Sequence, residues 1–339
     1  MDSYLVTGPT GFLGYHVIKL LNERGIRPRV LLPASIDPNS SAVEVLKAQD
    51  VMLVEGDIND KEALQAACKG INIILHLHFA ITLGGGEYAE KLLHAHNVLA
   101  TRNLFAAATE AHVSRIVVSS SVLAVGLHHE PDLLDEAADW ERHIFSLPYA
   151  VSRRDAEQHV LTQSAPGLPE VVVISPSFTM GPEDWGRSAP ANKLVMKMSK
   201  PGFRITAPIG VGVLDVRDYA EGVLRAVEHG KPGQRYILNG HNITPDQLAA
   251  EVAKVENFAP PKWQFSLRSW MLYPILIILI LLSKITGKPA KVTLSILELW
   301  GRYAWYDTSL AQNELGWKAR PLHETLRDTI DWHRGTGSE

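Results

Sequence analysis

Two groups of residues in this sequence have types and spacings that suit chemistry. The first is Gly8-Pro9-Thr10-Gly11-Phe12-Leu13-Gly14. In a turn with this glycine spacing, Gly8 can take a backbone conformation closed to residues with a Cβ. Gly11 leaves room where a pyrophosphate would lie, and Gly14 lets a helix and a strand pack closely. A helix starting directly after such a turn aims free N–H groups and a partial positive charge at the phosphate, so the chemistry is dinucleotide binding. The second group is Ser119-Ser120-Ser121 together with Tyr149 and, four residues on, Arg153. Residues four apart on a helix share a face, so Tyr149 and Arg153 can point into one crevice. A carbonyl reduced by hydride needs a proton donor, and a phenol serves better when a nearby cation favours its anion. A serine hydroxyl can hold the carbonyl oxygen by a hydrogen bond. The same residues also fit a strand-end serine cluster and an unrelated surface tyrosine, and spacing alone leaves both readings open.

These residues need elements to position them. Ser3 to Thr7 reads as a short buried strand leading into the glycine turn, and the apolar-periodic run 15–21 reads as the helix that leaves it. Further strands are expected at 29–32, 51–55, 71–77, 115–119, 171–174 and 235–238, with helices at 42–48, 61–67, 88–111 and 150–163. This alternation predicts an α/β chain, a Rossmann doubly wound parallel sheet with helices on both faces. Ligands bind in the crevice outside the carboxyl ends of such strands. Residues 1–175 are expected to form the dinucleotide-binding domain, with returns to the sheet near 205–240, and residues 176–339 mainly a smaller C-terminal substrate-binding lobe.

The end of the second strand normally selects the cofactor, through an acid on the adenine ribose or an arginine on a 2′-phosphate. Here it reads Leu31-Leu32-Pro33-Ala34-Ser35 and carries neither; Asp37 and Arg29 lie nearby, with Arg29 inside the strand. The cofactor is therefore NAD or NADP, undecided. In Gly56-Asp57-Ile58, after the third strand, Asp57 offers a carboxylate where an adenine amino group could be met. The alternative is a helix N-cap before Lys61, which Asp60 fills better. His76-Leu77-His78 ends the fourth strand, but no third ligand follows at a useful spacing, so no metal is expected.

The net charge of −4 and pI near 6.4 give no reason to expect nucleic acid as a partner. The single cysteine, Cys68, excludes an intramolecular disulfide and fits a reducing compartment. No leader is read before the first strand, and a cytoplasmic location is the default expectation. The run 270–282 carries no charge between Arg268 and Lys284, is interrupted by Pro274, and is short for a bilayer span, which takes roughly twenty residues. It is read as a core or dimer-interface helix, or as a lid over an apolar substrate; contact with a membrane surface is not favoured.

The chain resembles the extended short-chain dehydrogenase/reductases of the NAD-dependent epimerase/dehydratase type over nearly its whole length. The stretches that carry the resemblance are Val6 through Gly14, Gly56-Asp57, Asn97 with Thr101-Arg102-Asn103-Leu104, Val118 through Ser121, and Tyr149 through Arg153. Ser175-Pro176-Ser177, Leu214 through Ala220 and Tyr306 through Ser309 add to it. The Ser175-Pro176-Ser177 variant looks more like the dihydroflavonol-reductase and 3β-hydroxysteroid-dehydrogenase branch than the sugar-nucleotide epimerases. The resemblance implies Tyr149 as proton donor and Ser121, or its neighbour Ser120, as the carbonyl-orienting hydroxyl. It implies cofactor contacts at Gly8, Thr10, Gly11, Phe12, Leu13, Gly14, Asp57, Ile58, His78, Phe79, Tyr149, Arg153, Pro176 and Ser177, and a homodimer.

Three departures stand out. Arg153 replaces the lysine that family members carry four residues after the tyrosine, and a planar guanidinium cannot reproduce a compact ammonium contact. His78-Phe79 stand where small residues are usual, and the charge after the second strand is missing. The expected function is NAD(P)-dependent oxidation or reduction of an alcohol or carbonyl on an apolar small molecule. The alternatives are a sugar-nucleotide epimerase or dehydratase, with Arg187, Lys193 and Arg217 available to a second pyrophosphate, and a catalytically weakened dinucleotide-binding sensor.

Overall fold

Most of the valine-, isoleucine- and leucine-rich runs form strands buried on both faces, as a parallel sheet covered by helices requires, while the edge run 52–55 is largely exposed. The computed structural model describes residues 2–82, 87–138, 140, 147–163, 165–186, 189–202, 205–259, 265–266, 268–286 and 294–336. Its first half alternates β1 (Tyr4–Thr7), α1 (Phe12–Glu23), β2 (Arg29–Leu32), α2 (Ser41–Lys47), β3 (Met52–Glu55), α3 (Lys61–Cys68) and β4 (Ile73–His76). Then come α4 (Glu87–Leu93), α5 (Ala100–Glu110), β5 (Arg115–Ser119), α6 (Pro148–Leu161) and β6 (Glu170–Pro176). The second half contains β7 (Phe178–Met180), α7 (Pro190–Met198), β8 (Ile205–Thr206), β9 (Val211–Asp215), α8 (Val216–His229), β10 (Arg235–Leu238) and β11 (His241–Ile243). It closes with α9 (Pro245–Val255), β12 (Phe265–Ser266), α10 (Ser269–Thr286), α11 (Ser309–Leu315) and α12 (Leu322–Gly335).

The central sheet has seven strands in the order β3-β2-β1-β4-β5-β6-β10, and every pairing is parallel. One face packs Val17, Ile18 and Leu21 of α1 with Tyr219 and Val223 of α8. The other packs Leu64 of α3, Leu104 and Phe105 of α5 and Val160 of α6. Helices on both faces and a reversal of strand order beside β1 make the expected doubly wound sheet. The reversal opens the crevice where β1 and β4 end, with Thr7 opposite His76 in register. The return to the sheet expected near 205–240 is β10. A smaller sheet, β11-β9-β7, packs with α7, α9 and α12 around Met180, Val195, Leu248 and Leu326.

Two segments differ from expectation. The single helix expected at 88–111 is interrupted by a π-helical turn, His94–Leu99, between α4 and α5. That turn holds Asn97, whose side chain accepts from the Ala80 N–H at 2.8 Å and donates to the Ala80 carbonyl at 3.1 Å, so the wider turn serves a contact to the loop after β4. The apolar run forms α10, and it is covered less than a core helix would be. Leu276 is buried, but Trp270 is 63% exposed, Ile278 56% and Ile285 80%. Among the described residues, no helix is long and apolar enough to cross a membrane.

Candidate active site

The glycine turn separates into positions that the protein itself explains and one that it does not. Gly8 has φ +70°, and a Cβ there would lie 2.9 Å from the His78 Cα, while a Cβ on Gly14 would overlap the Gly8 carbonyl oxygen. Both positions are closed by backbone. At Gly11 a Cβ would meet only the Gly8 carbonyl oxygen, at 3.4 Å, and would otherwise enter open space. Packing therefore accounts for Gly8 and Gly14, and the free volume at Gly11 is a cradle that a side chain would fill. Behind it, α1 begins without a side-chain cap and without an acidic residue in its first turn, so its positive end is left for an anion. Thr10 is half-buried in the turn, and Phe12 packs with Val216 and Ala189, with Leu13 partly buried against them. The Phe12 side chain is thus engaged in packing, with Leu13 partly so.

A directed hydrogen-bond chain ties this turn to the end of β4. The Thr101 hydroxyl donates to the Asn97 carbonyl at 2.6 Å, which leaves it to accept from His76 Nε2 at 3.0 Å. His76 Nδ1 then accepts from Thr7 Oγ1 at 2.8 Å, and Thr7 Oγ1 accepts from the His78 N–H at 3.3 Å. Burial, aided by the charges of His78 and Arg153, holds His76 well below the usual histidine range, so it is neutral and structural. Burial, with His96 and Arg153 adding to it, pushes His78 down to about 4, and its Nε2 lies 3.2 Å from His96 Nδ1. Among the described residues no group of three or more His, Cys, Asp or Glu could hold a metal ion.

Tyr149 and Arg153 enter the crevice from the first turns of α6, where Pro148 starts the helix. Burial pushes the Tyr149 phenol above its ordinary value; the Arg153 charge and hydrogen bonding to Ser121 pull it down. Arg153 is 2% exposed, yet its Nε and Nη1 have no hydrogen-bond partner among the described residues. Its guanidinium carbon lies 4.8 Å from the centre of the Phe79 ring. Burial lowers the Arg153 pKa, opposed first by Tyr149 and then by Glu157. A buried cation with free donors suits an incoming polar ligand, because leaving those donors unmade is costly.

The serine cluster divides sharply. Ser119 Oγ lies near the Tyr219 hydroxyl without the geometry of a hydrogen bond. Ser120 donates to Glu157 Oε2 at 2.7 Å, and Glu157 also accepts from Arg235 Nε at 2.6 Å, so the Ser120 hydroxyl is engaged in a buried ion-pair network. Ser121 accepts from the Leu123 N–H at 3.2 Å and turns its hydroxyl toward Tyr149. Glu157, Arg235, Asn97 and Tyr219 had no assigned role in the sequence reading. Glu157 was findable, since it lies four residues after Arg153 and eight after Tyr149 on the same helix.

Other expected contacts scatter. Asp57 is exposed, with Oδ1 accepting from the Asn59 N–H at 2.8 Å, while Asp60 caps α3 as expected. Ile58 is buried in the core. Pro176 ends β6, and the Ser175 and Ser177 hydroxyls are buried with no partner among the described residues. Arg29 donates to the carbonyls of Ala67 at 2.7 Å and Lys69 at 2.8 Å, so it is engaged away from any 2′-phosphate. Asn192 bonds both the N–H and the carbonyl of Gly181. Trp185 packs edge-on against Tyr15 and Trp332. Of the three cations considered for a second pyrophosphate, Arg217 pairs with Asp215 at 2.8 Å and Asp328 at 2.6 Å, Lys193 is exposed, and Arg187 lies outside the described residues.

The Gly11 cradle, the uncapped α1 and the unmade donors of Arg153 fit a dinucleotide. Comparison with known proteins agrees. Residues 4–239 match the NAD dependent epimerase/dehydratase family. The chain is 28% identical over 347 positions to a Synechocystis sp. protein provisionally named dihydroflavonol 4-reductase, covering 99% of this chain and 96% of that one. It is 31% identical over 238 positions to the 4-hydroxy-2-methyl-3-oxo-4-farnesyl-3,4-dihydroquinoline-1-oxide ketoreductase of Stigmatella aurantiaca, covering 69% and 66% of the two chains. It also superposes on the crystal structure of gox2253 with a TM-score of 0.83 and 31% identity, over 100% of this chain and 99% of that one. The chain therefore belongs to the NAD dependent epimerase/dehydratase family, among the extended short-chain dehydrogenase/reductases, and is an oxidoreductase of that family.

Proposed function

We propose that the protein interconverts a carbonyl and an alcohol on an apolar small molecule, with residues 1–175 holding NAD or NADP and residues 176–339 mainly contacting the substrate. The bound dinucleotide supplies or accepts the hydride. Tyr149 Oη gives its proton to the carbonyl oxygen in reduction, and Ser121 Oγ holds that oxygen by a hydrogen bond. Arg153 stabilises the tyrosinate left behind and offers Nε and Nη1 to the dinucleotide. What supports this reading is a buried tyrosine and a buried cation with unmade donors one turn apart on α6, with Ser121 hydrogen bonding lowering the phenol pKa.

An apolar substrate is supported by the side chains around Tyr149. Leu93 and Leu147 are buried against it, with Leu123, Leu127, Trp140 and Leu299 packed alongside. The names of the two curated relatives, a flavonoid reductase and a ketoreductase of a farnesylated quinoline, point the same way. A cytoplasmic homodimer is the context this reading carries, from the lone buried Cys68 and the family resemblance.

A second reading, a dinucleotide-binding protein with weakened turnover, is favoured by the guanidinium resting on Phe79. One experiment separates the two. Purified protein is assayed for NADH and NADPH oxidation with apolar ketones and aldehydes, and for dinucleotide binding by calorimetry. Tyr149-dependent turnover supports the reductase; tight binding with no turnover on any of them supports the weakened relative.

A further inference from the structure

The helix α10 presents an apolar face that the described residues leave uncovered. Trp270, Tyr273, Ile277, Ile278, Leu281 and Ile285 are exposed at the three- and four-residue spacing of one helix face, and Leu279 and Leu282 extend that exposed surface around the helix. Leu276, away from that face, is the one apolar side chain of α10 buried among the described residues. Contiguous exposed apolar surface of this kind marks an interaction site.

Charge identifies the occupant. Between Glu256 and Glu298 the sequence carries Lys262, Arg268, Lys284, Lys288 and Lys291 and no acidic residue, in a chain whose net charge is −4. A cationic segment around an apolar helix in an otherwise acidic protein complements a surface that is anionic outside and apolar within. Trp270 and Tyr273 follow the exposed Arg268, and aromatic side chains with a polar edge favour the headgroup level of a bilayer. A second copy of this chain would meet the same five cations, with no acid in the segment to pair with them.

We propose that the exposed face of α10, preceded by the exposed Arg268 in a sequence segment free of acids, docks in the interfacial plane of an anionic phospholipid membrane without crossing it. The docked helix is close to the chemistry. The 3₁₀ helix Leu294–Leu299 packs against α10 and places Leu299 among the apolar residues around Tyr149.

The test is sedimentation of the full chain with mixed phosphatidylcholine–phosphatidylglycerol vesicles and with pure phosphatidylcholine vesicles, at low and high salt. The wild-type protein is expected in the pellet with the mixed vesicles, with weaker binding to pure phosphatidylcholine and partial release by salt. Ile278→Glu with Leu281→Glu, and separately Arg268→Glu, are expected to weaken partitioning, the apolar pair by about tenfold or more. These side chains are exposed, so the unfolding midpoint and dinucleotide binding should stay unchanged, and binding lost with both intact supports docking. Protein that stays in the supernatant with mixed vesicles overturns the proposal. So does a homodimer by analytical ultracentrifugation that the Ile278→Glu and Leu281→Glu pair splits, with no vesicle binding by the wild type.

Discussion

The Arg153 guanidinium rests on the Phe79 ring, with its central carbon 4.8 Å from the ring centroid. Two positions that depart separately from the family pattern are therefore one contact. A ring face attracts a cation, and a guanidinium stacks where an ammonium would not, so the large Phe79 and the exchange of lysine for Arg153 make sense together. The arrangement offsets part of the cost of burying the charge and leaves Nε and Nη1 without a partner among the described residues.

That contact predicts coupling. Phe79→Ala and Arg153→Lys should each lower dinucleotide affinity, and the double variant should lose less than the sum of the two. An interaction of roughly 0.5–2 kcal/mol is expected. Calorimetric titration of the four proteins with NADH and NADPH measures it, and strict additivity would show that the pair is accidental.

Removing the charge should move the pH profile. Burial raises the Tyr149 pKa and the Arg153 charge opposes it, so Arg153→Gln should raise the phenol further. Alcohol oxidation, which needs the tyrosinate as base, should then begin at higher pH than in the wild-type protein. Rate against pH for both proteins gives the shift; an unmoved profile would sever Arg153 from Tyr149.

Tyr149→Phe should lower turnover by about 10²–10⁴-fold while dinucleotide affinity stays nearly unchanged. The serines should separate. Ser121→Ala is expected to reduce kcat, whereas Ser120→Ala, which deletes a donor to Glu157, should mainly cost about 1 kcal/mol of stability. A larger kcat loss in Ser120→Ala than in Ser121→Ala would reverse the assignment.

The glycines should part in the same way. Gly14→Ala would force a Cβ into the Gly8 carbonyl and is expected to lower the unfolding midpoint without any ligand present. Gly11→Ala should leave that midpoint nearly unchanged and weaken dinucleotide binding by about tenfold or more, since only the ligand needs the space. Thermal unfolding with and without NADH distinguishes them.

Acid should destabilise the fold through His16. Burial pushes His16 down to about 4, and its Nε2 lies 3.0 Å from the Pro182 carbonyl. The unfolded chain binds the proton first, so this stability is fully present above about pH 6.5 and is lost as pH falls toward 4, on the order of 3 kcal/mol. His16→Gln keeps a donor for Pro182 and should flatten that part of the profile in urea unfolding at neutral and acid pH.

Much of the fold is legible in the residues themselves. Strand runs such as 115–119 and 235–238 and the turn from Gly8 to Gly14 depend on local backbone preferences and on alternation along the chain, which a sequence displays directly. Tyr149 and Arg153 share a face because both belong to one helix, and that too is local. What the sequence left open depends on partners far along the chain. Ser120 is withdrawn by Glu157 and Arg235, which arrive from α6 and β10, so only the assembled sheet decides which serine faces the phenol. Arg29 is engaged by carbonyls at the end of α3 and just beyond it, and Phe79 meets Arg153 across the crevice. The same holds for 270–282: its composition made it apolar, but whether it is buried is a property of what packs against it, and the described residues bury Leu276 and leave much of the rest exposed. Periodicity along one chain specifies elements and the faces within them; which faces meet is set by packing between elements distant in sequence.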